Sequence, residues 1–466
     1  MLKNAFNPSI PVLCVVAATP TTLAENPAMP HSDPSNTGGW VLNDSVSDEF
    51  DGEELDTNKW FVQGRDDGYH KWKGRAPSQF APHNVTVADG HLVLTSRWEP
   101  DYAFSKEEFG GRNYENITTA GIISEASFLY GYMETRSKAG DAAMTSSFWA
   151  LGYQSELDMF EQMGRPRKAD PNTSGGNKFE KAYMFSIHDW RPEIIKGENK
   201  IFTHTHQLPY RVADDFHVYG CEWDPEFLKF YVDGKLVYTR TRKELDDAWV
   251  ITNPLEIWFD SETFPWFGLP TEEDLPAEFK IDYVRVWQKP DSNLLDRAFH
   301  GFEGPILLRD VPLPEDKNQH HKFWYMPDHS KPHFSISTEK YFSGRKSLKF
   351  THDGKTSVPE VSAMAPNGTS KLGAGPHVIS LKLWLDRNCT LKQLHPILDE
   401  PWLQIKPINL TSLPRMQWIT VEVPFSRDGP SGKKDRLRFT AKAADMPEGK
   451  STIYIDDVAI RSSSAD

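Results

Sequence analysis

Two Asp-Gly pairs constrain this chain more than any other feature. Asp89-Gly90 lies between Val85, Val87 and Leu92, Leu94, and Asp233-Gly234 lies between Phe230, Tyr231 and Leu236, Val237. Apolar residues at every second position turn one side of a strand toward a core, and Asp-Gly adopts the left-handed backbone of a tight hairpin turn at little cost. In the second hairpin Tyr231 is expected to face Leu236, and Phe230 to face Val237. Short alternating runs recur from residue 40 to about residue 288, among them HNVTVADGHLVLTSR (83–97), YGYMETRS (130–137) and FHVYGCEWDPEFLKFYVDGKLVY (216–238). No long run of helical period competes with them. The pattern predicts an all-β chain whose main body is a sandwich.

With 466 residues the chain is long enough for two domains. Lys289-Pro290-Asp291-Ser292 breaks the first pattern. A second restarts over residues 297–466, marked by Phe302-Glu303-Gly304, GRKSLKF (344–350), WITVEV (418–423) and YIDDVAI (454–460). A second, smaller β-sandwich is expected there. At the other end, Lys3 and an uncharged, mostly apolar stretch read as a secretory signal over residues 1–24, followed by a polar linker over 25–39. The mature protein is then expected to be secreted, extracellular or periplasmic. No other stretch approaches the ~20 uncharged apolar residues of a membrane span. Cys221 and Cys389 fall in different expected domains, so no disulfide is expected between them. Lys and Arg total 52 against 66 Asp and Glu, a net charge of −14, which argues against a nucleic-acid partner. The 15 Trp, 15 Tyr and 27 Phe suit flat apolar ligand faces such as those of sugar rings.

The chemistry is concentrated in Ser155-Glu156-Leu157-Asp158-Met159-Phe160-Glu161-Gln162-Met163-Gly164. On a strand Glu156 and Asp158 share a face, while Glu161 is out of phase. One extra residue in a β-bulge between Asp158 and Glu161 would bring all three to one side, with Leu157 and one of Met159 or Phe160 packed behind. Carboxylates so close raise one another's pKa, so one stays protonated while another ionises. Retaining glycoside hydrolysis uses such a pair, a carboxylate nucleophile and a protonated acid. The alternative is a solvated acidic face. Against it, the preceding TSSFWALG (145–152) is apolar and aromatic, and burying three acids beside Trp149 is costly without a function.

The cluster resembles the Glu-x-Asp-x-x-Glu signature of glycoside hydrolase family 16 in its bulged form. SSFWALG (146–152), AGIISEASFLYGYMETRSK (120–138), DDFHVYGCEWDPEFLKFYVDGKLV (214–237) and FKIDYVRVWQK (279–289) resemble further strands of that family, in the same order. The resemblance covers residues 40–289. It implies a β-jelly-roll with a sugar-binding cleft, Glu156 as nucleophile, Glu161 as general acid/base and Asp158 as the residue that orients the nucleophile. His188 matches a histidine beside the acid/base. Some members hold a structural calcium, for which the matching carboxylates are Glu49 or Asp48 and Asp282; the chemistry itself is expected to need no cofactor.

The substrate side is similar to that of red-algal galactanases. YHKWKGRAPSQFAPHNVTV (69–87) resembles the opening of agarases, porphyranases and carrageenases, and FTHTHQLPYRVADDFHVYG (202–220) is most similar to κ-carrageenases. Trp149 is the expected stacking platform, with Trp72, Trp190 and Trp266 as further candidates that are either core or cleft. Arg75, Arg191, Arg165, Arg167 and Lys168 are candidate cations for sulfate or ring hydroxyls. FDSETFPWFGLPTEEDLP (259–276) carries Trp266 but no Arg, which departs from strict κ-carrageenan specificity. Residues 297–466 resemble carbohydrate-binding sandwich modules in pattern, with Trp324, Tyr325, Trp384 and Trp402 as platform candidates. The expected function is an endo-hydrolase of β-1,4 linkages in a carrageenan- or agar-type galactan, acting as a monomer. The alternatives are a laminarinase-type β-1,3-glucanase and a non-catalytic lectin-like binder.

Overall fold

The structure is a computed structural model, and it describes residues 29–152, 154–167, 179–191, 201–289, 301–302, 324–344, 346–354 and 358–462. The expected signal over 1–24 and Lys168 lie outside the described residues. Both Asp-Gly pairs turn hairpins: Asp89 and Gly90 have φ of 53° and 73°, Asp233 and Gly234 of 47° and 74°. Val85 pairs with Leu94 and Val87 with Leu92. In the second hairpin Tyr231 faces Leu236, but Phe230 faces Tyr238 instead of Val237, because Val237 is an extra residue in the return strand. Val237 and Tyr238 both pack on the core as a result.

Residues 41–288 build two large sheets and a small hairpin of Glu108–Phe109 with Arg112–Asn113, antiparallel apart from one short pair, Ser78–Phe80 with Ile117–Thr119. The seven-stranded sheet runs in the order Ile201–Gln207, Ala182–Asp189, Ser155–Met163, Thr145–Gly152, Leu255–Asp260, Gly121–Phe128, Trp60–Val62. A ten-stranded sheet, with Gly131–Lys138, His217–Trp223 and Ala277–Gln288 near its middle, packs behind it. Phe148, Phe160 and Phe259 of the first sheet meet Tyr219 and Phe279 of the second, with Phe148 stacked on Phe259 at 4.8 Å and Phe160 4.9 Å from Tyr219. Each such buried side chain contributes about 1.5–3 kcal/mol. Because side chains alternate, this core also dictates which residues of the seven-stranded sheet face outward.

Residues 29–39, expected as a loose linker, are seated on the sandwich: the Asp33 carboxylate caps the Thr37 and Gly38 amides, and the His31 amide donates to buried Glu134 at 2.8 Å. Beyond residue 324 two five-stranded sheets enclose a separate core that includes Phe350, Leu381, Leu398, Phe439 and Ile455. Trp324 is inside that core and Tyr325 is half-buried, so neither is an open platform. Cys221 and Cys389 are buried free thiols. Among the described residues the one α-helix is Arg242–Leu245, and no helix is long and apolar enough to cross a membrane.

Candidate active site

Thr145–Gly152 pairs with Ser155–Met163 in two segments of different register. Phe148 faces Phe160, whereas Trp149 faces Asp158, which leaves Met159 as the extra residue of a bulge. Glu156, Asp158 and Glu161, opposite Leu151, Trp149 and Ser147, therefore share the outer face. The expected bulge is present. Behind it Leu157, Met159 and Phe160 are all in the core, where one of the last two was expected. Gly164 follows the strand, at a point where a Cβ would lie 2.3 Å from the Gly140 carbonyl oxygen.

The neighbouring strand sets His188 opposite Glu156 and Ser186 opposite Asp158. His188 Nε2 lies 2.9 Å from Asp158 Oδ2 and 3.5 Å from Glu156 Oε1. Trp190 Nε1 donates to Glu156 Oε2 at 2.9 Å, and its ring stacks on His188. The donor atoms of Glu156, Asp158 and His188 lie within 4.8 Å of one another, the one such group of three among the described residues. Asp158 is 2% exposed and Glu156 18%. Burial, joined for Glu156 by the Asp158 charge, pushes both carboxyls up to about 7, and a hydrogen bond between them lets one proton serve the pair. Glu161 is driven well above the carboxylate range by burial and then by the Asp158 charge. Burial thus favours the protonated form of Glu161, while the Trp190 N–H and His188 favour the ionised form of Glu156.

Alternation along Leu255–Asp260 adds Glu256, Trp258 and Asp260 to the same face, opposite Leu151, Trp149 and Ser147. Trp149 Nε1 donates to Asp260 at 2.9 Å, and its ring stacks on Trp258 at 4.6 Å. Trp72 stacks on Trp258 at 5.1 Å and donates to Glu262 at 2.7 Å. His70 also stacks on Trp258 and lies 3.0 Å from Glu256. Trp149 is only 6% exposed, because Trp72 and Trp258 cover it. It is a wall of this aromatic stack, and the expectation of an open platform is corrected. Trp266, 53% exposed, does offer an open ring; it rests on Phe264 at 4.5 Å beside the Arg75 guanidinium at 5.4 Å. Asp260, Glu262, Glu256, Trp258 and His70 escaped the sequence reading. The period-two run Glu256-x-Trp258-x-Asp260-x-Glu262 is the signal that could have found four of them.

Of the expected cations, Arg75 reaches this face, 3.6 Å from Glu262 and close enough to favour the ionised forms of Glu161 and Asp260. Arg191 forks onto buried Asp189 at 2.7–3.1 Å, Arg165 onto Asp141 at 2.5 Å, and Arg167 pairs with Asp274 and Thr271. These three serve carboxylates of the protein itself. The His-rich segment 202–220 does not supply histidines to the acidic face: His204 and His206 pair with core-facing Phe185 and Tyr183 on the sheet's edge strand. Nor do the residues expected to hold calcium fit it. Glu49 takes the Arg285 guanidinium at 2.7 Å through both oxygens, Asp282 takes Arg136 at 2.6 Å, and Asp48 accepts the Phe50 amide and the Trp60 indole. Calcium requires six or more oxygens, and two guanidiniums stand where its charge would be.

The raised carboxyls make stability pH-dependent. Unfolded, Glu156 and Asp158 titrate near ~4, while in the fold they titrate at about 7. The folded state therefore binds protons that the unfolded chain has released, so this contribution is complete below the unfolded pKa and lost as pH rises through the folded one. The thermal midpoint is expected to fall between about pH 4 and pH 7, and Glu156→Gln to flatten that fall. Calorimetry at several pH values checks this; a slope unchanged by the substitution would reject the assignment.

Residues 40–289 match the family described as Beta-porphyranase A-D, GH16 domain. A Beta-porphyranase B of Phocaeicola plebeius is 29% identical over 279 residues, covering 53% of this chain and 84% of the relative. A Beta-agarase of the same organism is 28% identical over 284 residues, 54% of this chain and 87% of the relative. A Kappa-carrageenase of Pseudoalteromonas carrageenovora is 24% identical over 315 residues, 61% of this chain and 73% of the relative.

Proposed function

The chain belongs to glycoside hydrolase family 16, and on that premise we propose that it is a retaining endo-hydrolase of β-1,4-galactosidic linkages in a red-algal galactan, with porphyran as the preferred polymer. The reading is carried by the bulged strand, which aims Glu156, Asp158 and Glu161 to one side while their surroundings pull their protonation apart. In the first step Glu161 gives its proton to the glycosidic oxygen as the bond to the anomeric carbon breaks. The Glu156 carboxylate bonds to that carbon from the other side, forming a glycosyl-enzyme. In the second, Glu161, now ionised, takes a proton from water, whose oxygen displaces Glu156. Asp158 holds Glu156 through their hydrogen bond and passes the shared proton as its charge changes.

Porphyran is preferred over κ-carrageenan because the matching family description and the 29% identical relative both name porphyranases. The core-facing histidines of the 202–220 segment also remove one motive for the carrageenan reading. Trp266 and Arg75 together suit a sugar ring bearing an anionic substituent. The test is incubation with porphyran, agarose, κ-carrageenan, furcellaran and laminarin, with products sized by chromatography and their first-formed anomer read by proton NMR. Oligosaccharides from porphyran, β anomer first, are expected. Release from laminarin alone would move the protein to the β-1,3-glucanases, and the α anomer first would overturn retention.

A further inference from the structure

Outside the acidic face, the C-terminal sandwich carries a sheet face on which an exposed indole lies beside two partly buried arginines, Arg436 14% and Arg438 18% exposed. It belongs to the sheet Glu360–Met364, Leu437–Lys442, Gln393–Asp399, Trp402–Gln404. Leu398, Leu403 and Leu437 alternate into the core, which turns their neighbours outward. Trp402 pairs with Asp399, whose amide donates to the Arg436 carbonyl, so these three form one row across the sheet. Gln404, Ile397 and Arg438 form the next.

Arg436 and Arg438 both donate to the single Asp399 carboxylate, at 2.8–2.9 Å. Two guanidiniums on one carboxylate leave a positive surplus in a chain whose net charge is −14. Arg436 Nη1 is buried with no hydrogen-bond partner among the described residues, a donor that ordinarily costs stability unless an acceptor arrives. Trp402 is 53% exposed, with its ring 5.1 Å from the Arg438 guanidinium carbon. The opposite sheet also bears aromatics, Trp384 and Phe342 under Lys340 and Lys382, but Asp386 and Asp457 lie among them and balance the charge.

We propose that the Trp402–Arg436–Arg438 face binds an anionic stretch of polysaccharide, one ring stacked on Trp402 and a sulfate ester held by the arginines. Guanidinium forks suit the oxygens of a sulfate, and an indole suits the apolar side of a galactose. The choice of a sulfated galactan as occupant rests on the function proposed for the acidic face; the binding face itself does not.

The test is affinity electrophoresis of the full chain carrying Glu156→Gln, which spares the polymer, in gels containing porphyran or neutral agarose. Porphyran is expected to retard the protein more than agarose. Trp402→Ala or Arg436→Met should weaken that retardation by about tenfold, and added salt should weaken it too. In the chain with Glu156 intact, Trp402→Ala should leave kcat/KM on short porphyran oligosaccharides unchanged, which separates this face from the acidic one. Retardation by porphyran unaffected by Trp402→Ala overturns the proposal, and equal Trp402-dependent retardation by agarose overturns its charge selectivity. Failure to cleave porphyran would instead strike the catalytic reading, because retardation is measured without turnover.

Discussion

Glu156→Gln is expected to lower kcat on the galactan by on the order of 10⁴-fold or more, with the polymer still bound. The amide keeps the size of the carboxyl and can still accept the Trp190 N–H, which now lies 2.9 Å from Glu156 Oε2. What it lacks is the charge and the oxygen nucleophile that form the glycosyl-enzyme, so no neighbour can substitute. Asp158 is unsuited, being 2% exposed and tied to His188 at 2.9 Å. Reducing-end release and gel retardation, measured on the same preparation, separate chemistry from binding. Retention of more than a tenth of the wild-type rate would remove Glu156 from the role of nucleophile.

Glu161→Ala should cost about 10²–10⁴-fold on the polymer, and far less on an aryl glycoside whose leaving group needs no proton. Its surroundings favour a clean readout. Ser147 faces Glu161 across the strand pair and is small, so truncation opens space beside the reacting carbon. Azide entering there should attack the glycosyl-enzyme without needing a base and yield a β-glycosyl azide, identified by NMR. An α-azide would mean that the two glutamates have exchanged roles. Removing Glu161 should also abolish the alkaline limb of the kcat/KM profile, since its proton, held well above the ordinary range by burial and the Asp158 charge, is the one lost as pH rises.

The fold and the carboxylates were legible because both obey the period of a strand. Asp89-Gly90 and Asp233-Gly234 declare their turns locally, and three acids in six residues fit one face only with a bulge. The other half of the site was less legible. Asp260 and Glu262 stood in a segment scanned for cations, and their meaning depends on Trp149 and Trp72, which reach them with hydrogen bonds across 111 and 190 residues. Arg191 and Glu49 misled for a similar reason: a guanidinium or carboxylate in a chain announces a charge but not its partner, and here Asp189 and Arg285 were waiting. Trp149 was placed on the right face and given the wrong exposure, since nothing in its own strand announces that Trp258 and Trp72 stack over it.

The bulge has a bearing on length variation. Register is independent on its two sides, with Thr145–Phe148 paired to Phe160–Met163 and Trp149–Gly152 to Ser155–Asp158. Met159 belongs to neither block. A chain shorter by that one residue would still present Glu156, Asp158 and Glu161 outward, as an uninterrupted Glu-x-Asp-x-Glu alternation. Insertion or loss at this single point is therefore neutral in facing while it changes the spacing by which the strand is recognised. An alignment that scores these carboxylates column by column has to open its gap here, within the most chemically constrained six residues of the chain.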